Sequence, residues 1–285
     1  MGQERVLVVG AGAMGTQIGA VFALAGHPVT VQDISEDALE RSQAVVRKRV
    51  GRLAEKGAIE AVDAEAAIGR MSWTANLEDA AATADLVVEA ASERLDIKRE
   101  VFARLGAAAP EHTILATNSS SIPSSLLAEA SGRADRLCNM HFFNPALVMQ
   151  AVEVVPNDQT SEATIETVLR LTEGIGKHAV RLHAEVPGFV ANRLMMALLN
   201  EAVALQAQGL ASIEDIDAAA KLGLAHPMGP FELMDLVGLD VVHDIQVAMH
   251  DMTDGDDPAP HPDVQRLYDA GHYGQKSGKG WYDHS

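Results

Sequence analysis

His141 and Glu153 are the residues whose types and setting first suggest chemistry. Glu153 lies inside the apolar run Ala151-Val152-Glu153-Val154-Val155, and a carboxylate buried in such a run is costly without a partner. A strand, an eleven-residue connection and a returning strand can bring it back to His141. A buried carboxylate against an imidazole fixes the tautomer and raises the basicity of the ring, which suits a general base. The same spacing also allows a surface histidine and an edge-strand glutamate, and spacing alone does not separate the two.

A second group lies near the N-terminus. Val6-Leu7-Val8-Val9 runs into Gly10-Ala11-Gly12-Ala13-Met14-Gly15, and apolar residues follow at helical spacing from Thr16 to Ala25. Val29-Thr30-Val31-Gln32-Asp33 then reads as a strand ending in an acid. Strand, Gly-x-Gly-x-x-Gly, helix, strand and acid in one βαβ unit form a dinucleotide site. Gly10 permits the tight turn, Gly12 lets the backbone approach a pyrophosphate, and Gly15 lets the helix pack on the sheet. The helix start at Ala13 and Met14 offers N–H groups to the anion. Asp33, eighteen residues past Gly15, can accept hydrogen bonds from both ribose hydroxyls and repels a 2′-phosphate, so NAD is favoured over NADP.

The remaining elements deliver polar residues to the carboxyl edge of a parallel sheet, where open α/β folds bind ligands. Leu86 to Ala90 is a buried strand ending before Glu93 and Lys98; a solvated helix start accounts for these two equally well. Thr113 to Thr117 is a strand leading into Asn118-Ser119-Ser120-Ser121, a run that either caps a helix or offers a hydroxyl to a substrate. Arg136 to Met140 is a strand with His141-Phe142-Phe143-Asn144-Pro145 past its end, and Met149 to Val155 is the next strand. Asp37 to Ala54 is a long helix extended by Ala58 to Ile68 as a hairpin, longer than the usual crossover connection. Val168 to Ile175 is a helix, and Lys177 to Leu182 the last strand. Beyond Pro187 the chain is helical wherever it is periodic, and the aromatic tail Tyr273 to Tyr282 is expected to pack down. The expected fold is α/β: residues 1–184 form a Rossmann-type, mostly parallel sheet with a helical hairpin insertion, and residues 185–285 form an all-α domain.

Composition narrows the partners. The chain has 285 residues and a net charge of −18, which argues against nucleic acid or an anionic membrane. No uncharged apolar stretch reaches about 18 residues, so no membrane span is expected. The first strand follows the N-terminus directly and there is one cysteine, Cys138, so a cytoplasmic protein with a buried bystander thiol is expected. The eleven histidines show no metal-ligand spacing, and no metal centre is expected. Against the acidic background, Arg41, Arg47, Lys48, Arg49, Arg52 and Lys56 stand near a single acid, Glu55. They form either a solvated helix face or a docking site for a phosphorylated substrate, and the charges alone do not decide.

These motifs, taken together, resemble the short-chain 3-hydroxyacyl-CoA dehydrogenases, most of all the bacterial 3-hydroxybutyryl-CoA dehydrogenases. The resemblance rests on eight motifs in order along nearly the whole chain. They are Gly10-x-Gly12-x-Met14-Gly15, Val88-Glu89-Ala90 with Glu93, Thr117 to Ser121, His141 to Pro145, Val152-Glu153-Val154, Pro187-Gly188-Phe189 with Asn192-Arg193, Pro227 to Glu232 and Lys276 to Tyr282. It implies that His141 is the base for the C3 hydroxyl and that Glu153 holds and tunes it. It also implies that Ser120 and Asn192 bond substrate oxygens, with Asn144 at the cofactor–substrate junction. Glu93, Lys98 and Lys276 would contact NAD, and Lys56 the coenzyme A of an acyl-CoA substrate. A homodimer formed through the helical domain is implied as well. Two positions depart from the family pattern: Ser119 replaces the usual threonine, and Arg49 stands where some members carry a coenzyme A-contacting serine. A free hydroxy acid dehydrogenase of the L-gulonate and lambda-crystallin branch is the alternative enzyme. A non-catalytic NAD-binding protein is the alternative class.

Overall fold

The computed structural model describes residues 3–285. The chain divides into two compact units that part between Glu185 and Val186. The strands of the first unit are β1 (Val6–Val9), β2 (Val29–Gln32), β3 (Met71–Thr74), β4 (Leu86–Glu89), β5 (Ile114–Thr117), β6 (Leu137–Phe142), β7 (Ala151–Pro156) and β8 (His178–Arg181). Its helices are α1 (Ala13–Leu24), α2 (Glu36–Glu55), α3 (Ala61–Gly69), α4 (Leu77–Ala81), α5 (Leu95–Ala108), α6 (Ser125–Ser131) and α7 (Glu162–Gly174).

Strands β1, β4 and β5 are buried at every residue, as strands covered on both faces must be. The sheet has the order β3-β2-β1-β4-β5-β6-β7-β8, and only the β6–β7 pair is antiparallel. On one face Val8, Val31, Val88, Ala116 and Met140 pack with Ile18 and Phe22 of α1, Val46 of α2 and Val168 of α7. On the other, Leu7, Val87, Leu115 and Leu137 pack with Leu77 of α4, Phe102 and Leu105 of α5 and Leu127 of α6. The helical hairpin is α2 and α3, and it forms the β2–β3 crossover. The sheet order reverses at β1 and β4, which opens a crevice at their carboxyl ends.

Two boundaries differ from the sequence reading, each for a physical reason. Strand β6 continues through Phe142, because β7 pairs with it as far as Phe142 and Val152; His141 therefore sits within the strand and not past its end. Helix α7 starts at Glu162, capped by the Ser161 hydroxyl, which accepts from the Thr164 N–H. Its buried stripe includes Thr164 and Thr172 among Ile165, Val168 and Leu171, so the polar threonines hide the apolar period.

The second unit contains α8 (Ala191–Ala207), α9 (Ile213–Gly223), α10 (Pro230–Val237), α11 (Leu239–Met252) and α12 (Pro262–Asp269). Leu199 and Val203 of α8 meet Phe231, Met234, Leu239, Val242 and Val264 in one core. The aromatic tail packs down as expected. The Trp281 ring stands edge-on to Phe231 with centroids 4.8 Å apart, and the Trp281 and Tyr282 N–H groups donate to buried Asp235 at 2.9 Å each. The Tyr282 hydroxyl donates to buried Asp217 at 2.7 Å; burial and this carboxylate push the phenol well above its ordinary pKa. Among the described residues no helix is long and apolar enough to cross a membrane.

Candidate active site

The glycine turn has the form a dinucleotide requires. Gly10 has φ +106°, and a Cβ there would lie 2.6 Å from the Ala90 carbonyl oxygen. A Cβ on Gly15 would lie 1.9 Å from the Gly10 oxygen, so α1 meets the turn without any side chain between them. Gly12 is the reverse case: no protein atom lies within 4 Å of where its Cβ would stand. It caps α1 without a side-chain hydrogen bond, which leaves the first-turn N–H groups, Ala13 and Met14 among them, to an anion. Asp33 follows the end of β2. Its carboxylate accepts from the Ala11 N–H at 2.8 Å and the Ser35 N–H at 2.9 Å, which anchors it beside the turn. An open cradle over a helix start, with an anchored acid at its side, fits NAD.

The neighbouring strand carries a buried charge cluster. Glu89 is fully buried at the end of β4, and Lys98 in α5 is 1% exposed. The Lys98 ammonium donates to both Glu89 oxygens at 2.8 Å and lies 3.2 Å from Glu93. Glu89 also accepts from the Ala91 N–H at 2.8 Å and the Thr117 hydroxyl at 2.7 Å. All four bonds to this carboxylate come from donors, so an acceptor-only side chain is required. Lys98 is thus not a solvated residue of a helix start. Burial alone would raise the Glu93 pKa, but the Lys98 charge and the Ser119 and Ser121 hydroxyls outweigh it and hold it below the ordinary value.

Glu93 organises the serine loop. The Ser119 and Ser121 hydroxyls both donate to it, the latter at 2.8 Å, and Ser119 Oγ accepts from the Ile122 N–H at 2.8 Å. Ser120, between them, makes no side-chain hydrogen bond among the described residues and is part-exposed. The loop therefore commits two hydroxyls to its own shape and offers the third.

Strands β6 and β7 place His141 directly opposite Glu153 in register. The imidazole Nδ1 lies 2.9 Å from Glu153 Oε2, with the residues 6% and 1% exposed. The pairing that spacing left open is formed. A carboxylate at Nδ1 keeps the proton on that nitrogen and leaves Nε2 as the basic atom. Asn144 is exposed, and its Oδ1 accepts from Gln17 of α1 at 3.4 Å. The loop after His141 is thereby tied to the helix that begins at the glycine turn.

The other expected residues are carried by other elements. Lys56 is exposed at the C-terminal end of α2. Asn192 is in the first turn of α8, and Lys276 is in the tail, where its ammonium meets Asp240 at 2.5 Å and stands 5.7 Å from the Tyr273 ring centroid. Cys138 is buried in β6, and burial pushes its thiol up to about 12, so it is an unreactive bystander. The sequence reading assigned no role to Glu89. Its signal was the one that marked Glu153, a carboxylate in an apolar strand.

Residues 5–186 match the family model described as 3-hydroxyacyl-CoA dehydrogenase, NAD binding domain. Residues 188–284 match the C-terminal domain model of the same family. The chain is 42% identical over 276 residues to a probable 3-hydroxybutyryl-CoA dehydrogenase of Deinococcus radiodurans, covering 96% of this chain and 98% of that one. It is 41% identical to the human mitochondrial hydroxyacyl-coenzyme A dehydrogenase, covering 98% and 90%. The solved (S)-3-hydroxybutyryl-CoA dehydrogenase of Ralstonia eutropha superposes over the whole of both chains with a TM-score of 0.94 at 36% identity. With the glycine cradle, Asp33 and the His141–Glu153 pair all in place, the chain belongs to the 3-hydroxyacyl-CoA dehydrogenase family of NAD-dependent oxidoreductases.

Proposed function

We propose that the protein interconverts (S)-3-hydroxyacyl-CoA and 3-oxoacyl-CoA thioesters, with 3-hydroxybutyryl-CoA as its preferred substrate, and that His141 is the general base. The observation that carries this reading is the His141–Glu153 pair at 2.9 Å, on a sheet whose first turn is a dinucleotide cradle. NAD, when bound, supplies the two-electron acceptor for the hydride leaving C3. His141 Nε2 takes the C3 hydroxyl proton as the carbonyl forms, and Glu153 stabilises the positive charge that develops on the ring. A base in this role contributes roughly 100- to 10,000-fold. Ser120 and Asn192 donate to the substrate oxygens and polarise the forming carbonyl, while Asn144 stands where cofactor and substrate meet. Glu93, Lys98 and Lys276 belong to the cofactor side of the same proposal.

The basic helix supports a coenzyme A ester over a free acid. At about 100° per residue, Arg41, Lys48, Arg49, Arg52 and Lys56 fall within an arc of about 100° on α2, beside its buried stripe of Leu39, Ser42, Val46 and Val50. All five are exposed, which gives phosphate groups one attractive strip on an acidic protein. The proposal includes a homodimer through the second unit, supported by the exposure there of Leu194, Leu222, Leu224 and Leu236. It also includes a cytoplasmic location, for which the lone buried thiol is suited.

The test is the loss of NADH absorbance with acetoacetyl-CoA, beside free acetoacetate and longer 3-oxoacyl-CoA esters. Turnover with the CoA esters alone, fastest with the four-carbon one, is the expected result. Turnover with free acids only would overturn the substrate assignment.

A further inference from the structure

We infer that Asn139 is a positioning residue for this reaction, tying the serine loop to the strand of the base and so aligning Ser120 with His141; the inference rests on the reading of Ser120 as a donor to substrate oxygen. Asn139 is fully buried in β6, two residues before His141, so both side chains leave the same face of the sheet. Its Oδ1 accepts from the Ser124 N–H at 2.7 Å, and its Nδ2 donates to the Ser119 and Ile122 carbonyl oxygens at 3.2 Å each. One amide thus grips the loop at both ends and in its middle, with Ser120 inside the span. The loop returns the link, because Asn118 Oδ1 accepts from the N–H of Phe142 at 2.9 Å. His141 is therefore flanked in its own strand by two residues bonded to the serine loop.

Glu93, which anchors the loop at Ser119 and Ser121, follows β4 and carries no information about where β6 stands. Asn139 supplies that information. It also needs both halves of its amide, since its partners are two acceptors and one donor. A carboxylate of the same shape would face two carbonyl oxygens without a proton to give, and a leucine would serve none of the three. Alignment of this kind is worth roughly 100-fold in rate per ångström of misplacement.

The test is a double-mutant cycle in the full-length protein, with NADH and acetoacetyl-CoA as substrates and NADH fluorescence as the binding readout. Asn139→Leu is expected to lower kcat roughly 10- to 100-fold, with NADH affinity within about threefold and the midpoint of the pH profile unmoved, because the His141–Glu153 pair is untouched. In a Ser120→Ala background the same substitution should cost less than about threefold, since there is no hydroxyl left to align. Asn139→Ser, which keeps a hydroxyl for the Ser124 N–H, should fall between, and it carries the test if the leucine variant does not fold. A folded variant with wild-type kcat, or an equal loss with and without the Ser120 hydroxyl, would overturn the inference. A wild-type protein inactive on every CoA ester would overturn both the proposed function and this inference. An active wild type impaired by Ser120→Ala but indifferent to Asn139 would overturn the inference alone.

Discussion

Both units bury carboxylates, and they do so differently. In the second unit Asp217 accepts from the Phe231 and Glu232 N–H groups at 2.8 and 3.1 Å and from the Tyr282 hydroxyl. Asp235 accepts from the Trp281 and Tyr282 N–H groups and pairs with His284, near the chain end, at 2.8 Å. These acids replace missing turns of structure, holding a helix start and a tail. In the first unit Glu89 and Glu153 face Lys98 and His141, side chains that themselves gain and lose protons, at the carboxyl edge of a sheet. A buried acid is thus no mark of a site by itself. The mark is a buried acid on a strand at the carboxyl edge of the sheet with a titratable partner; Asp235 also has such a partner, His284, but both belong to the helical unit.

The strongest test of that contrast is His141→Gln. It should lower kcat with acetoacetyl-CoA roughly 1,000-fold, within the range for a general base, while NADH binding measured by fluorescence stays within about twofold. Unchanged turnover would remove His141 as the base. Glu89→Gln comes next in size. It places an amide NH₂ among three donor groups and leaves Lys98 without its main counter-charge. Breaking a buried pair from one side costs about 3–5 kcal/mol, which denaturant unfolding would read directly. A cost below about 1 kcal/mol would mean that the cluster relaxes to let water reach Lys98.

What is local in the physics is legible in the sequence. Gly10, Gly15 and Asp33 act within one βαβ unit, and each leaves a trace at a fixed offset. His141 and Glu153 were legible as a possible pair because their strands are consecutive and antiparallel, so the register joins them directly. The burial of Lys98 was not legible. Its burial depends on Glu89, on a strand that α5 packs against, and an amphipathic helix with a lysine in its first turns has the same pattern in water. Asn139 was missed for a related reason, since its partners lie 15 to 20 residues upstream in an irregular loop that has no period to reveal them.

The second unit provides the control for the first. Asp217→Asn removes one acceptor from a set of three donors and should cost about 1–3 kcal/mol of stability. Below its melting temperature kcat should be within about twofold of wild type. A large fall in kcat with little change in unfolding would blur the distinction between the two kinds of buried acid.

The smallest effect concerns pH and the acid between the two classes. Glu93 is about half exposed, 47% at the side chain, and its pKa is held below the ordinary glutamate value by Lys98 and two serine hydroxyls. A carboxyl whose pKa is lower in the folded state than in the unfolded chain adds stability above the unfolded value, near 4.3. That stability is lost as the pH falls through the folded value. Wild type and Glu93→Gln should therefore differ most in urea unfolding near neutral pH, and the gap should close only below about pH 4. Because solvent screens a half-exposed pair, the gap itself should be small. A gap that persists unchanged into acid would mean that Glu93 serves the serine loop by shape alone. It would then join Asp217 and Asp235 among the acids that hold structure, with Lys98 left to Glu89.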